Sequence, residues 1–194
     1  MSSDSRSRIL HEAEQLFGQQ GFAGTRLSSI ASAVGLGNAG LLHHFPSKAA
    51  LYRAVLDKIA ADFDSQGLVD DQAEDSVAKL KKLVDGLLSM HRERPNAMAV
   101  IVHEFLDRSG RIDKAEVLPL AGIVADTAAI LRAGQQAGTI RSGDPVAMTA
   151  ALHGSIMIGC LGRMVYSRTS GEQVADNWEE ELMRSALASV LTPQ

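Results

Sequence analysis

The chain has 194 residues, 45% of them hydrophobic and 22% charged, enough for one large packed domain or a small one joined to a medium one, which excludes a disordered or collagen-like chain. Its net charge of −4 argues against attraction of the whole surface to nucleic acid. The acid is unevenly spread, however: no Asp or Glu occurs from Gln15 to Leu56, where Arg26, Lys48 and Arg53 stand and His43 and His44 can add positive charge.

Almost every segment reads as helix, punctuated by glycine, proline and polar clusters. No sustained alternation of the kind a half-buried strand needs is present, so the predicted fold is all-α with about nine helices. The first helix is predicted over Ser5 to Gln20, because Ile9, Ala13, Leu16 and Phe17 share one face and Gly21 supplies a stop. Thr25 or Ser28 then caps a short helix that turns Ile30, Ala31 and Val34 to one side, and Gly35 ends it. A second short helix spans Asn38 to His44 with Leu41 and Phe45 on its buried side. After Pro46, Ser47 caps a long helix from Lys48 to about Gln66 that carries Leu51, Val55 and Ile59 inward.

Five more helices are predicted, at Asp71 to Arg92, Pro95 to Arg108, Ala115 to Ala137, Pro145 to Arg168 and Gly171 to Leu191. Pro95 and Pro145 suit first-turn positions. No apolar run is read as reaching the roughly 18 residues of a membrane span, and the opening MSSDSRSR lacks the apolar stretch of a secretory signal. A cytoplasmic protein without a membrane partner is expected. The lone Cys160, set among apolar residues, reads as a buried, inert thiol.

Residues 27 to 45 fit a helix-turn-helix. Ala31 is small where two helices cross, Gly35 can take the positive φ of the tight turn, and Leu41 packs the second helix on the first. Such a unit exposes the start of its second helix to a major groove, here Gly37, Asn38, Ala39 and Gly40, followed outward by Leu42 and His43. Asn38 and His43 carry groups that can meet base edges, and Leu42 can touch a thymine methyl. Thr25, Arg26, His44 and Lys48 are candidate phosphate anchors, which position the protein without specifying sequence.

The residues Gly21-Phe22, Thr25, Ile30-Ala31, Ala33, Gly35-Leu36 and the block Leu41-Leu42-His43-His44-Phe45-Pro46-Ser47-Lys48 resemble the reader signature of TetR family transcriptional regulators over about Ile9 to Val55. The resemblance implies a homodimer with a three-helix DNA-binding domain in residues 1–47 and a helical effector-binding and dimerisation domain in residues 48–194. It further implies a double-stranded, palindromic DNA operator, a small-molecule effector that releases the protein from it, and repression of transcription. By the same resemblance Asn38, Ala39, Leu42 and His43 face bases, and Thr25, Gly37, His44 and Lys48 face phosphates. Gly37 stands where the family usually has a Ser or Thr cap, Ala39 where Gly is frequent, and Leu42 where an aromatic is usual. A cap hydroxyl replaced by Gly costs only a few tenths of a kcal/mol, so the recognition helix is still expected to form.

The resemblance also implies that the last two helices form the dimer interface. Met148, Leu152, Ile156 and Cys160 recur along one of them, and Trp178, Leu182, Ala186 and Val190 along the other, although either stripe could face the chain's own core. Polar residues within apolar stretches, His91, His103, Glu104 and His153, are candidates for orienting a ligand, with Met90, Met98, Met148 and Met157 as adaptable walls. A metal site from His103, Glu104, His153 and Cys160 is conceivable, but no pair has the spacing that sets two ligands one turn apart on a helix. No metal and no cofactor are expected.

An enzyme is the rival class, yet the sequence has no phosphate loop, dinucleotide fingerprint, nucleophile elbow or HExxH pair. Glu12 and Glu14, like the run Glu179, Glu180 and Glu181, read as solvated helix faces. The remaining alternative is a non-catalytic helical dimerisation module without specific DNA binding, which leaves the acid-free Gln15 to Leu56 surface without a purpose.

Overall fold

The computed structural model describes residues 2–65, 75–106 and 121–192. Among them lie nine helices: α1 (Ser2–Gly24), α2 (Leu27–Ala33), α3 (Asn38–His44), α4 (Lys48–Ser65), α5 (Ser76–Glu93), α6 (Pro95–Phe105), α7 (Ala121–Gln136), α8 (Pro145–Ser170) and α9 (Trp178–Ala188). No strand occurs among the described residues beyond an isolated antiparallel bridge between Ile140 and Leu191. The helix starts predicted at Asp71 and Ala115 and the end predicted at Arg108 lie outside the described residues. The described residues form two compact units, one of 2–61 with 94–106 and the other of 62–65, 75–93 and 121–192.

In the first unit α1 packs against α2 and α6, and α2 against α3. Ile9, Ala13, Phe17, Ile30, Leu41, Leu51 and Ile59 are buried, as their helical spacing requires. Phe17, Phe22 and Tyr52 form an aromatic cluster with ring centroids 4.9 to 6.2 Å apart. Gly21 marks the predicted stop as a kink, with φ 68° and ψ 174° inside α1, before the chain enters α2.

Glu14 departs from the solvated face expected of it. It is only 4% exposed and is held by Arg94, whose Nε donates to its Oε1 at 3.2 Å and whose Nη2 donates to its Oε2. The sequence carried a sign of this, since Glu14 sits among Leu10, Ala13 and Phe17 on the apolar arc of α1. A charge on such an arc needs a partner once buried.

In the second unit α5, α7, α8 and α9 pack together around Leu80, Leu83, Val84, Leu131, Leu152 and Ile156. Asp144 caps α8, accepting from the Ala147 backbone N–H at 2.7 Å, and Pro145 occupies the first turn where its missing N–H does no harm. α9 begins later than expected: Gly171 closes α8 in the left-handed conformation and the helix restarts only at Trp178.

Both stripes expected at a dimer interface face the chain's own core. Met148, Leu152, Ile156 and Cys160 are buried, as are Ala186 and Val190. Trp178 Nε1 donates to the Gly159 carbonyl at 3.2 Å, and Leu182 lies so close to Gly159 that a Cβ there would meet it at 2.7 Å. The outward side of α8 is apolar as well, with Ile158, Leu161 and Val165 46, 37 and 63% exposed and Ala147 and Ala151 exposed on the same arc. This explains a second correction. Pro145–Arg163 is long and apolar enough by length and composition to cross a membrane, contrary to the expectation that no run was. It has one side in a helical core and the other free of charge, and 44% of it is buried.

Candidate nucleic-acid interface

The turn between α2 and α3 is built by backbone hydrogen bonds that only a left-handed residue permits. Gly35, at φ 73°, donates to the Ser32 carbonyl at 3.1 Å, while Leu36 donates to the Ala31 carbonyl at 2.8 Å. These two bonds satisfy the last carbonyls of α2 and turn the chain sharply into α3. From α1, Arg8 Nη2 donates to the Val34 carbonyl at 3.4 Å, and the Arg6 guanidinium stands 5.0 Å from the Phe45 ring centre. Leu41 and Phe45, fully or nearly buried, fix the inner side of α3. Opposite them Gly37, Asn38, Ala39, Leu42 and His43 are exposed on one continuous face, with His44 half-buried beside it.

Gly37 occupies the cap position of α3 in an extended conformation, φ −80° and ψ 164°, with no side-chain hydrogen bond. Nothing lies within 4 Å of a Cβ placed there. Gly37→Ser is therefore expected to raise stability by a few tenths of a kcal/mol, measured as a higher urea midpoint at unchanged slope, because the hydroxyl gains an N–H partner without strain.

The candidate phosphate anchors separate into two kinds. Arg26, Gly37 and His44 stand at the surface or half-buried. Thr25 turns inward instead: it is 1% exposed, and its hydroxyl donates to the Gly21 carbonyl at 2.8 Å and lies 3.1 Å from the Leu16 carbonyl. Its side chain ties the kink of α1 to α2 rather than facing phosphate, because the broken helix leaves carbonyls there to be satisfied. Nor does it cap α2, whose cap position is Arg26 without a side-chain bond. Lys48 lies over the Phe22 ring, 4.5 Å from its centre, and donates to the Ala23 carbonyl at 3.4 Å, which holds its ammonium beside the end of α1. Ser47 caps α4 as expected, accepting from the Ala50 N–H at 3.1 Å.

Of the six candidate ligand residues, Met90, His91, His153 and Met157 lie in the second unit, on α5 and α8, which pack together. Met90, Met157 and His153 are buried. Burial pushes His153 down to about 4, so the ring is neutral. The Thr127 hydroxyl donates to the Ile123 carbonyl at 2.7 Å, which leaves its oxygen to accept from His153 Nε2–H at 3.0 Å. His91 is also lowered, by burial first, against the opposing pull of Glu179, and its Nδ1 is buried without a hydrogen-bond partner among the described residues.

His103 and Glu104 belong to the first unit, where His103 Nε2 donates to the Gly18 carbonyl of α1 at 3.2 Å. Among the described residues no three His, Cys, Asp or Glu side chains are placed to hold a metal ion. Cys160 is buried, and its thiol is pushed up to about 11 by that burial.

Comparison with known proteins follows the same residues. Bacterial regulatory proteins of the tetR family match residues 9–55, which holds the kink, the turn, α3 and the first half of α4. Residues 9–55 thus carry a tetR-type regulatory domain. It is 29% identical to the HTH-type transcriptional regulator RutR of Escherichia coli K12 over 143 residues, 74% of this chain and 68% of that protein. It is 27% identical to the HTH-type transcriptional repressor NicS of Pseudomonas putida over 160 residues, 81% of this chain and 73% of that one. In fold it is similar to a tetR family transcription regulator from Shewanella sp. PV-4, with a TM-score of 0.76 at 20% identity over 97% of this chain and 99% of that one. Both curated relatives are transcriptional regulators, and the matched residues 9–55 contain the helix-turn-helix of α2 and α3.

Proposed function

We propose that the chain represses transcription as a homodimer, docking α3 of each copy in successive major grooves of a palindromic operator and leaving it when a small molecule binds. The reading assigns DNA recognition to residues 1–47 and effector binding and dimerisation to residues 48–194. The observation that carries it is the face Gly37, Asn38, Ala39, Leu42 and His43, which is exposed and free of acid while the opposite side of the same helix is buried. Asn38 and His43 read base edges, Leu42 meets a thymine methyl, Ala39 allows close approach, and Arg26, Gly37, His44 and Lys48 take phosphates. The relatives named as a regulator and a repressor support this role.

The exposed arc Ala147, Ala151, Ile158, Leu161 and Val165 of α8, with α9 alongside, receives the second copy. A two-fold axis lets one uncharged surface cover itself, which an apolar patch on a water-borne protein requires. The effector enters the interior of the second unit, where His153 and Thr127 supply a neutral polar pair, Met90 and Met157 adaptable walls, and the His91 Nδ1 an open hydrogen-bonding atom.

Selection of bound sequences from random duplex DNA tests the reading, with titration of the winner at two salt concentrations. A palindromic winner is expected, bound about fivefold to thirtyfold more weakly by His43→Ala, which corresponds to roughly 1 to 2 kcal/mol of lost base contact. Absence of any enriched sequence, or binding indifferent to His43, would overturn it.

A further inference from the structure

α6 lies outside the part of the chain that matches the family's reader, residues 9–55, yet it packs with the reader unit and against α1. It is fastened at both ends. At its start Arg94 grips the buried Glu14 with two donors, and Asn96 Nδ2 donates to Gln15 Oε1. Gly18 lets the backbones touch, since a Cβ there would stand 2.6 Å from the Asn96 carbonyl oxygen and 2.9 Å from its Cα. At its end His103 donates to the Gly18 carbonyl and lies over Gly21, its ring atoms 3.7 Å from where a Cβ would be. Gly21 is the kink from which the chain passes to α2 and the recognition helix.

The other neighbour of Arg94 is Glu93, the last residue of α5 in the second unit. The chain passes from one unit to the other here across a single peptide bond. Pro95 fixes its own φ and restricts the backbone of Arg94, whose carbonyl accepts the Met98 N–H at 3.2 Å. The Glu14 carboxylate is thus attached to the residue that directly follows the last of α5.

We propose that the Glu14–Arg94 ion pair is the coupling by which a change in α5 reaches the reader, with α6 as the arm that carries it to the Gly21 kink. Glu14 and Arg94 are positioning residues that touch neither DNA nor effector. The inference rests on the operator reading above for its purpose, although the coupling itself is measurable in the free protein. The buried Glu14 carboxylate holds its charge at a cost unless paired, so a strain that turns Arg94 must either move α1 with it or break the pair.

The test introduces strain in α5 by mutation and follows its arrival by hydrogen exchange of the full chain. Met90, one helical turn before Arg94, is 2% exposed, and Met90→Ala leaves a cavity in α5's packing; Met90→Val is the milder companion should the first leave too little folded protein. In the wild-type background these changes are expected to speed exchange of the α1 amides around Gly18 to Gly21 by about tenfold. In a Glu14→Gln background, with Arg94→Gln as the second way to break the pair, the same change is expected to move them by less than about threefold. Operator affinity should follow the same pattern.

Equal responses of α1 in the intact and broken backgrounds, or no response in the wild type, would overturn the coupling. Loss of operator binding with the exchange pattern intact would strike the operator reading and leave the coupling standing.

Discussion

Ile158→Glu is expected to turn the protein into a folded monomer and to weaken operator binding by about two to four orders of magnitude. Ile158 is 46% exposed on the outer arc of α8, so the substitution leaves the core of its own chain untouched, and helix content by circular dichroism should be unchanged. Across a two-fold axis one substitution introduces two carboxylates into the same apolar patch, where both lose water and repel each other. That penalty is several kcal/mol against the association and nothing against the monomer. The loss on DNA follows because two linked readers gain roughly 10² to 10⁴ over one, an advantage that disappears with the second copy. Sedimentation velocity checks the first part and operator titration the second. A dimer that survives Ile158→Glu and Val165→Glu alike would remove α8 from the interface.

How far the sequence could be read depended on the range over which each feature is decided. The reader was legible because its signals are local: Gly35 and Leu36 close α2 by bonds to residues three and five back respectively, and α3 was bounded correctly at Asn38 and His44 by a turn before it and Pro46 after it. The orientation of α8 was not, because from Pro145 to Gly162 no Asp, Glu, Lys or Arg marks an outward side. An i, i+4 apolar series could be drawn on either side of such a helix, and Met148, Leu152, Ile156 and Cys160 proved to be the inner one. Glu14 was misplaced, and the bond made by His103 was not foreseen, for a different reason. Each is committed by the docking of α6 on α1, between residues about eighty apart in the chain, which no local spacing encodes. Thr25 was given its place beside the reader but not its direction, since a hydroxyl next to a glycine kink serves the broken helix before it serves a phosphate.

The largest pH effect is expected from His153. Its ring is buried and neutral, donating from Nε2 to Thr127, and burial holds it down to about 4, against 6.5 in the unfolded chain. Between these two values the unfolded state binds a proton that the native state refuses, so stability rises with pH through this window and falls as pH drops through it. The contribution is fully present above about 6.5 and is lost progressively down to about 4, on the order of 3 kcal/mol in all. His91 is shifted in the same direction and adds to the slope, so the comparison is with His153→Gln, which keeps a donor for Thr127 but has no proton to gain. Urea unfolding of both proteins from pH 7.5 to 4.5 should show the wild type losing ground to the variant by about 1 kcal/mol or slightly more per pH unit below 6.5, while above pH 7 the difference stays constant. Parallel curves would mean that the native ring takes up its proton as readily as the unfolded one. A neutral donor within the α7–α8 packing could not then be the group that orients an effector.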